Sequence, residues 1–323
     1  MKNILVRTST SRWMTTFGLL SLAALIFAAA PAVAADDSLE DLLQQVGEDY
    51  AISYSSPFLY AFGPNQNSGM YQTAHIPWGG LTFGFGVKVM ATHLNIADQS
   101  FSKNIENVNL GVYDPIYEGE TGDVVMSGPT LFGDTETNGT ITGYLHGIPV
   151  FHQETIPGLI DTRFVPLAAP EAYIGGIFGL KATIRYFPEI DMSDYGKTKY
   201  FGYGLQWSPN GLIPTLPFDV MIGFFDQELK VGTLLETSAQ TYFIGASKDF
   251  SLLRVYGGFA KDKSDMSISY EYLEDGSNVS FSVDGTQEKH MTVGVALNFI
   301  LGLYAEMNAG DLTTYSTGLM IGF

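Results

Sequence analysis

Histidine, serine and carboxylate side chains are the groups of this chain that could do catalytic chemistry. The 323 residues contain five histidines and no cysteine, which excludes thiolate nucleophiles, thiolate metal ligands and disulfides. No G-x-S-x-G segment occurs, and neither His93 nor His290 has neighbours that suggest a catalytic triad. Acyl hydrolysis would require one of these two histidines to reach both a hydroxyl and a carboxylate. The sequence therefore predicts no enzyme, no cofactor and no metal site, with an outer-membrane acyl hydrolase kept as the remotest alternative.

The charge of the chain restricts its partners. Asp and Glu number 34 against 16 Lys and Arg, so the formal net charge is -18. Because no basic patch is available to neutralise phosphates, we expect no nucleic-acid partner. The acidic excess is also expected to repel anions from any channel. Charged residues make up only 15% of the chain while aromatic residues reach 13%, which is unusual for a soluble enzyme.

The N-terminus has the pattern of an export signal. Three basic residues among the first twelve precede an apolar stretch over residues 17–30 and the small-residue triplet Ala32-Val33-Ala34. This order predicts a cleaved secretory signal peptide over residues 1–34. The apolar stretch is too short to cross a bilayer of about 30 Å comfortably, and no later stretch is long and apolar enough. We therefore expect an exported chain without a membrane helix.

The rest of the chain alternates between apolar and small polar residues with a period of two. In residues 81–93 the odd positions are apolar up to Ala91, and the even positions include Thr82, Gly84 and Lys88. Similar segments of up to fifteen residues recur to the C-terminus. Such lengths suit strands that cross an outer membrane at a tilt. The pattern predicts an all-β, antiparallel transmembrane β-barrel over residues 80–323, with a secreted β-sandwich or solenoid as the alternative fold.

The number of strands follows from the segments. We count eight spans from Ala172 onward, with residues 172–186 taken as one span, plus one at residues 80–94 and a weaker one near 107–113. About ten strands are therefore expected, with 8 to 14 possible. Tight links are predicted at residues 248–252 and 299–302, and long links at 188–197, 227–240 and 261–289. Residues 266–284 are expected to form a hairpin above the membrane.

Two stretches do not look like spans. Residues 38–50 carry a leucine face at helical spacing, and residues 54–70 are rich in proline, asparagine and glycine. Residues 35–79 are therefore predicted to form an N-terminal helix and plug segment, the alternative being a loose periplasmic tail. The predicted plug or ligand-pocket residues are Leu42, Val46, Tyr54, Phe58, Asn65, Asn67 and Met70. Residues 114–170 are too long for a structureless loop, and we expect a loop that folds inward or caps the barrel.

The C-terminus resembles a known targeting signal. Tyr315, Leu319, Ile321 and Phe323 alternate along the last predicted strand, and this pattern is similar to the signal read by the outer-membrane assembly machinery. The resemblance implies that this machinery and outer-membrane lipid are partners, and that the chain resides in the bacterial outer membrane.

Several segments resemble one uncharacterised outer-membrane barrel family, a domain of unknown function that is distantly similar to the FadL-type transporters of hydrophobic compounds. The similar segments share a glycine-aromatic character and are residues 54–73, 80–92, 184–188, 202–207, 247–258 and 292–323. The resemblance implies a barrel with a plug ahead of its first strand and a small hydrophobic ligand.

Two functions of different classes follow. The leading hypothesis is passive passage or uptake of a small, apolar or weakly cationic molecule through a barrel gated by the plug. The alternative is a structural or adhesive barrel that works through its extracellular loops at residues 114–170 and 261–289. Bulky interlocked charges in the lumen would favour the second hypothesis, and the many small residues on the polar faces favour the first.

Overall fold

The computed structural model describes residues 47–191, 197–213, 215–272, 276–298 and 301–322. The predicted signal peptide lies outside these residues, as do Leu42, Val46 and Phe323. Within the described residues no helix is both long and apolar enough to span a bilayer.

The described residues contain one α-helix, fifteen strands and several short 3-10 helices. The helix α1 spans Glu48–Gln66. The strands are β1 Thr82–His93, β2 Ser100–Asn109, β3 Thr121–Pro129, β4 Thr140–Leu145, β5 Ile148–Glu154, β6 Phe164–Ile177, β7 Leu180–Asp191, β8 Lys197–Trp207, β9 Asp219–Val231, β10 Leu235–Phe250, β11 Leu253–Glu271, β12 Asn278–Asp284, β13 Lys289–Asn298, β14 Leu301–Ala309 and β15 Thr313–Gly322.

Ten of the strands close into an antiparallel β-barrel. Their order is β10-β9-β8-β7-β6-β1-β15-β14-β13-β11, and pairing between β10 and β11 closes the ring. Closure pairs the backbone of both edges, which is required of a sheet in hydrocarbon. Apolar side chains such as Phe85 and Ile184 are exposed outward, whereas Met90 and Arg185 are buried inside. The predicted fold class and the expected ten strands are confirmed.

The assignment of residues to spans behind this count of ten was wrong at two places. Residues 172–186 are a hairpin of β6 and β7, and residues 107–113 contribute no span. A β-bulge at Gly176, where φ is +98°, adds one residue before the two-residue turn at Phe178 and Gly179. Outward residues therefore stay at even positions in both strands, as Ile174 pairs with Ala182. The apolar residues therefore stay at even positions across the turn, and the sequence of residues 172–186 resembles that of one long strand.

Strands β2 to β5 form a separate four-stranded antiparallel sheet. The prediction of a loop for residues 114–170 is therefore corrected: three of these strands, and the start of β6, lie within it. Their alternation is weak because the strands are short, and their register shifts between Ile105 and Val108 and again at Gly143. We call this sheet, together with the turns over residues 94–163 that connect it to β1 and β6, the cap.

The strands differ in how far they extend beyond the ring. Residues 227–240 were predicted to be a long link, but β9 continues to Val231 and β10 resumes at Leu235. The predicted hairpin at residues 266–284 is confirmed, since β12 pairs only with the far end of β11. The junction of β10 with β11 at Phe250 and Leu253, and the adjoining ends of β13 and β14, lie at the opposite end of the barrel. We call the end that carries the cap the loop mouth and the other end the turn mouth.

Helix α1 lies against the cap and the inner wall. Twelve of its residues are buried, and it contains Pro57 and Pro64. Each proline removes one helical hydrogen bond, so the helix depends on its surroundings. Most of the predicted helix at residues 38–50 falls outside the described residues. Residues 54–66, whose composition did not indicate a helix, are helical because neighbours enclose them on several sides, which leaves no polar face to read from the sequence.

Residues 67–78 form an irregular segment inside the barrel, which we call the strap. Its beginning contacts Arg185 and Glu306 at mid-barrel, and its end at Trp78 reaches Ser208 near the turn mouth. Because Asn65 at the end of α1 contacts Val165 near the loop mouth, the chain descends the lumen from one mouth to the other before β1 begins.

Candidate functional site

The strap is held at mid-barrel by side chains that point inward from the strands. Arg185 on β7 is completely buried and makes the largest number of these contacts. Its guanidinium donates to the carbonyl oxygens of Ser68 and Gly69 at 2.9 Å each, and of Gln66 at 3.1 Å. One arginine thereby satisfies three backbone acceptors that would otherwise be buried without partners.

A buried charge network surrounds this arginine. Glu171 on β6 accepts from Arg185 at 2.9 Å and pairs with Lys88 on β1 at 2.7 Å. Lys88 also donates to the carbonyl oxygen of Gly69. Glu306 on β14 accepts from the backbone N–H of Gly69 at 2.7 Å. Two cations and two carboxylates therefore meet at the strap, and their charges balance.

Neutral side chains add further contacts along the plug. Gln227 donates to the carbonyl oxygen of Gln66 at 2.7 Å, and Gln206 donates to that of Met70 at 3.0 Å. Thr92 donates to the side-chain oxygen of Asn65 at 2.9 Å. Each contact joins a backbone or amide group of the plug to a different strand. The acceptor groups are irregularly spaced along α1 and the strap. The side chains of the barrel wall can therefore make all of these contacts in only one position of the strap.

Below these contacts, an apolar cluster holds Tyr71. Its ring lies 4.9 Å from that of Phe243, measured between centroids. A Cβ added to Gly258 would lie 2.4 Å from the Tyr71 ring, and one added to Gly245 would lie 2.9 Å from it. Glycine at these two wall positions thus makes room for the aromatic side chain inside the barrel.

The end of the strap is anchored near the turn mouth. The backbone N–H of Ala74 donates to the hydroxyl of Ser247 at 3.0 Å, and the indole of Trp78 donates to the carbonyl oxygen of Ser208 at 2.9 Å. Beside this anchor is a cavity of about 290 Å³ that opens at the turn mouth, which we call the vestibule. The vestibule ends at the strap.

The described plug candidates all lie on α1 or the strap. Tyr54, Asn65, Asn67 and Met70 are buried, and Phe58 is partly buried. Tyr54 donates to the carbonyl oxygen of Pro157 in the cap, and Met70 belongs to the apolar cluster around Tyr71. None of them lines the vestibule, and a role in ligand binding stays a prediction.

The predicted assembly signal lies on the outside of β15. Tyr315 and Leu319 are exposed on the outer face of the barrel, and Ile321 is half-buried on the same face. The alternation that defines the signal is therefore present in the structure, and its recognition by the assembly machinery stays a prediction.

The two histidines considered for hydrolysis differ in their surroundings. His290 is buried, and its Nδ1 lies 2.6 Å from a carboxylate oxygen of Asp262. Its Nε2 has no hydrogen-bond partner among the described residues, so no hydroxyl is placed for attack there. His93 packs its ring 5.0 Å from that of Phe164. The geometry supplies a carboxylate and a histidine but not the nucleophile of a hydrolase.

Sequence reasoning missed the residues that hold the strap. Lys88, Glu171, Arg185 and Glu306 were not among the predicted site residues, although each lies on the small polar face of a strand. The available signal was a full charge at an inward position, which is costly in a barrel unless it is paired. Their partners could not be read from the sequence, because Arg185 and Gly69 are 116 residues apart.

At the loop mouth, α1 and the cap share a core. Tyr50 packs its ring edge-on to Phe101 at 5.0 Å and accepts a hydrogen bond from Thr155 at 2.6 Å. Burial raises the pKa of the Tyr50 hydroxyl. Asp49 pairs with Lys103 at 2.9 Å across the same contact. The cap is therefore joined to the plug rather than to the barrel alone.

Together the closed ring, the apolar outer face and the occupied lumen define an outer-membrane type of β-barrel with an internal plug. The chain belongs to DUF6588, a family of unknown function, which it matches over residues 14–323. No curated protein matches the chain.

Several solved outer-membrane structures are similar to this chain at low identity. A loop L8 deletion mutant of OmpT, an outer-membrane protein of Vibrio cholerae, is 10% identical, with 76% of this chain and 100% of that chain covered and a TM-score of 0.24. The outer-membrane protease OmpT from Escherichia coli is 9% identical, with 77% and 98% covered and a TM-score of 0.28. The translocator domain of autotransporter NalP from Neisseria meningitidis is 6% identical, with 98% and 99% covered and a TM-score of 0.26. These similarities are too low to transfer an activity to this chain.

Proposed function

We propose that this protein is a gated outer-membrane barrel, closed at rest by its strap, that passes a small molecule when the strap is displaced. The observation that carries the proposal is the set of contacts from Arg185, Lys88 and Glu306 to the backbone of the strap. Transport would be passive, because the sequence contains no segment that resembles a nucleotide site or an energy-coupling element.

The polar nature of these contacts is compatible with a gate. Buried ion pairs contribute little net stability compared with apolar packing of the same volume, but they fix one arrangement. When the strap leaves, water entering the lumen can hydrate Lys88, Glu171 and Arg185 at a modest cost. A lumen filled with leucine would not offer a wettable path. The interlocked charges also fit a permanently closed structural barrel, and a conductance measurement separates the two.

The nature of the passenger is proposed from the vestibule. Ile76 and Met320 belong to its lining and are buried, and they suit a molecule with an apolar part. Its volume suits a small molecule rather than a polymer. The similarity to FadL-type transporters noted in the sequence is compatible with such a passenger and stays a prediction.

Single-channel recording tests the gate. Arg185→Met removes two contacts to the strap and one to the end of α1, and we expect more frequent opening than in the unaltered protein. Because the chain contains no cysteine, a single disulfide can be introduced with Ala74→Cys and Ser247→Cys, which join the strap to β10. In the Arg185→Met background this disulfide should close the channel, and a reductant should reopen it. Lys199→Met on β8 is the matched control, since Lys199 is exposed.

The alternative outcome is equally clear. If Arg185→Met and a variant lacking residues 47–78 both give closed, silent bilayers while remaining folded barrels, the gating proposal is wrong. Localisation is tested separately, by membrane fractionation and by accessibility of an epitope placed in the turn after Asp134.

The cap supports a second candidate function, attachment to a surface or partner at the loop mouth. It has its own four-stranded sheet, and Val124, Met126 and Ile141 belong to its buried core. Such a folded cap is more than closure of a narrow mouth requires. Adhesion of cells that display the unaltered protein, compared with cells displaying a variant in which a short Gly-Ser linker replaces residues 96–162, tests this candidate.

A further inference from the structure

The vestibule at the turn mouth differs from the rest of the molecule in its charge. Lys181 on β7 and Arg254 on β11 line it, and its described lining contains no Asp or Glu. The chain as a whole carries a formal net charge of -18. A cationic pocket in so acidic a protein is the reverse of what the composition predicts for the lumen.

The charge of Lys181 is not balanced by a neighbour. Its ammonium lies over the ring of Tyr173, 5.4 Å from the centroid. Among the residues that the structure describes, no carboxylate oxygen lies within 4.0 Å of it. Glu171 and Glu306 already balance Lys88 and Arg185 at the strap. Within the described part of the chain, Lys181 is therefore a cation in a half-enclosed site without a paired carboxylate.

Arg254 differs from Lys181 because it has a partner at its outer side. It forms a two-point ion pair with Asp249, in which Nε and Nη2 are the donors. The remaining nitrogen, Nη1, is free of that pair. His75, on the rim of the vestibule, faces Asp219 at 3.3 Å. The net charge of the vestibule is thus set by Lys181.

Two polar groups of the vestibule lining lie beside each other. The side-chain nitrogen of Gln72 and the hydroxyl of Tyr304 are both buried and interact with each other, so they form part of the wall. Gln72 also has a φ of +52°, an uncommon conformation for a residue other than glycine.

We propose that the vestibule is a binding site for a small organic carboxylate. The anionic group would lie beside Lys181, on the side of the cavity that Arg254 also lines, and charge-assisted hydrogen bonds of this kind are the strong ones. The apolar side chains of Ile76 and Met320 in the lining would hold the organic part. The site exists in the closed barrel, so the inference goes beyond gating, and binding can be present whether or not the barrel conducts.

Calorimetric titration of the complete barrel in a nonionic detergent tests this site with molecules of matched shape. Benzoate is expected to bind with one molecule per barrel, and benzamide and benzylamine are expected to bind about tenfold more weakly or not at all. Inorganic phosphate should not displace benzoate at equal concentration, because it lacks the organic part. Equal binding of benzoate and benzamide, or equal competition by phosphate, would overturn the proposal without any variant.

Variants locate the site. Lys181→Met should weaken benzoate binding by about tenfold or more, and Lys181→Arg should retain most of it because the charge is kept. Lys230→Met is the matched control, since Lys230 lies at the loop-mouth end of β9 and pairs with Glu228 and Glu236. Unchanged benzoate affinity in a folded Lys181→Met barrel would place any binding elsewhere and reject the vestibule site. Conductance is recorded on the same samples, so that loss of binding and loss of gating are distinguished.

Discussion

Glu171 and Arg185 lie opposite each other on neighbouring strands, and their side chains meet at 2.9 Å inside the closed barrel. Both are almost completely buried. Glu171 orients the guanidinium, and Arg185 then contacts the strap. Glu171 thus stabilises the strap indirectly, because it fixes the position of Arg185.

This relationship predicts coupled effects on stability. Glu171→Gln leaves Arg185 and Lys88 without their shared carboxylate and should destabilise the barrel by about 3–5 kcal/mol, because an unpaired buried charge is costly. Arg185→Met should have a similar effect. The double variant should be less destabilised than the sum, since no arginine is left unpaired. Urea unfolding of the refolded protein in detergent measures the three differences, and strictly additive values would contradict the pairing.

A second prediction concerns the space around Tyr71. A Cβ at Gly245 would lie 2.9 Å from the Tyr71 ring and 3.2 Å from Met221, so Gly245→Ala should push the ring away from the wall. We expect a loss of roughly 1–3 kcal/mol and more frequent channel opening. Gly302→Ala is the control, because its Cβ would make ordinary contacts at 3.5 Å. Identical recordings from the two variants would show that Tyr71 does not keep the strap in place.

A third prediction is a pH dependence at the hairpin of β11 and β12. Burial raises the pKa of Tyr270 to about 12, and the carboxylate of Glu48 contributes to the rise. The folded pKa is above the unfolded value of about 10, so the stabilising effect is complete below pH 10 and is lost as the pH rises toward 12. Amide exchange in this hairpin should therefore accelerate over that window.

Tyr270→Phe provides the control for this dependence. Its hydroxyl is buried and has no hydrogen-bond partner among the described residues, so its removal should be neutral or stabilising by up to roughly 1 kcal/mol. The alkaline acceleration should disappear from the hairpin in this variant. If it persists unchanged, another group is responsible.

A fourth prediction concerns the contact between cap and plug. A Cβ at Gly139 would lie 2.0 Å from the Tyr50 hydroxyl and 2.6 Å from the Thr155 hydroxyl, so Gly139→Ala must separate this pair. We expect the cap to loosen by about 1–3 kcal/mol and to be cleaved faster by added protease, while the ring of ten strands stays intact. Gly79→Ala, which meets nothing within 4 Å, should leave cleavage unchanged.

Much of the barrel could be predicted because hydrocarbon and lumen impose opposite chemistry on alternate residues. The outward faces of β1, β8, β9 and β13 follow the alternation that the sequence shows. Errors arose where the alternation does not mark the end of a strand. At Gly176 the β-bulge keeps the apolar residues at even positions on both sides of a turn, so the turn is not visible in the sequence. The cap escaped prediction because its short strands are packed on α1, a contact between distant parts of the chain.

The candidate site was predictable in place but not in detail. A plug ahead of the first strand was expected, and the described residues 47–78 occupy that position. Which wall residues hold it depends on strand register, which composition does not contain. The positive charge of the vestibule also could not be predicted from the net charge of the chain. It depends on one side chain, Lys181, which has no paired carboxylate among the described residues.

The direction in which the strap runs has a consequence for biogenesis. In chain order, α1 and the strap inside the barrel come before β1, the first strand of the wall that surrounds them. Residues 47–78 therefore have to be inside the ring before pairing of β10 with β11 seals it, or enter through an open mouth afterwards. Placement of the strap and sealing of the ring are thus linked steps of folding.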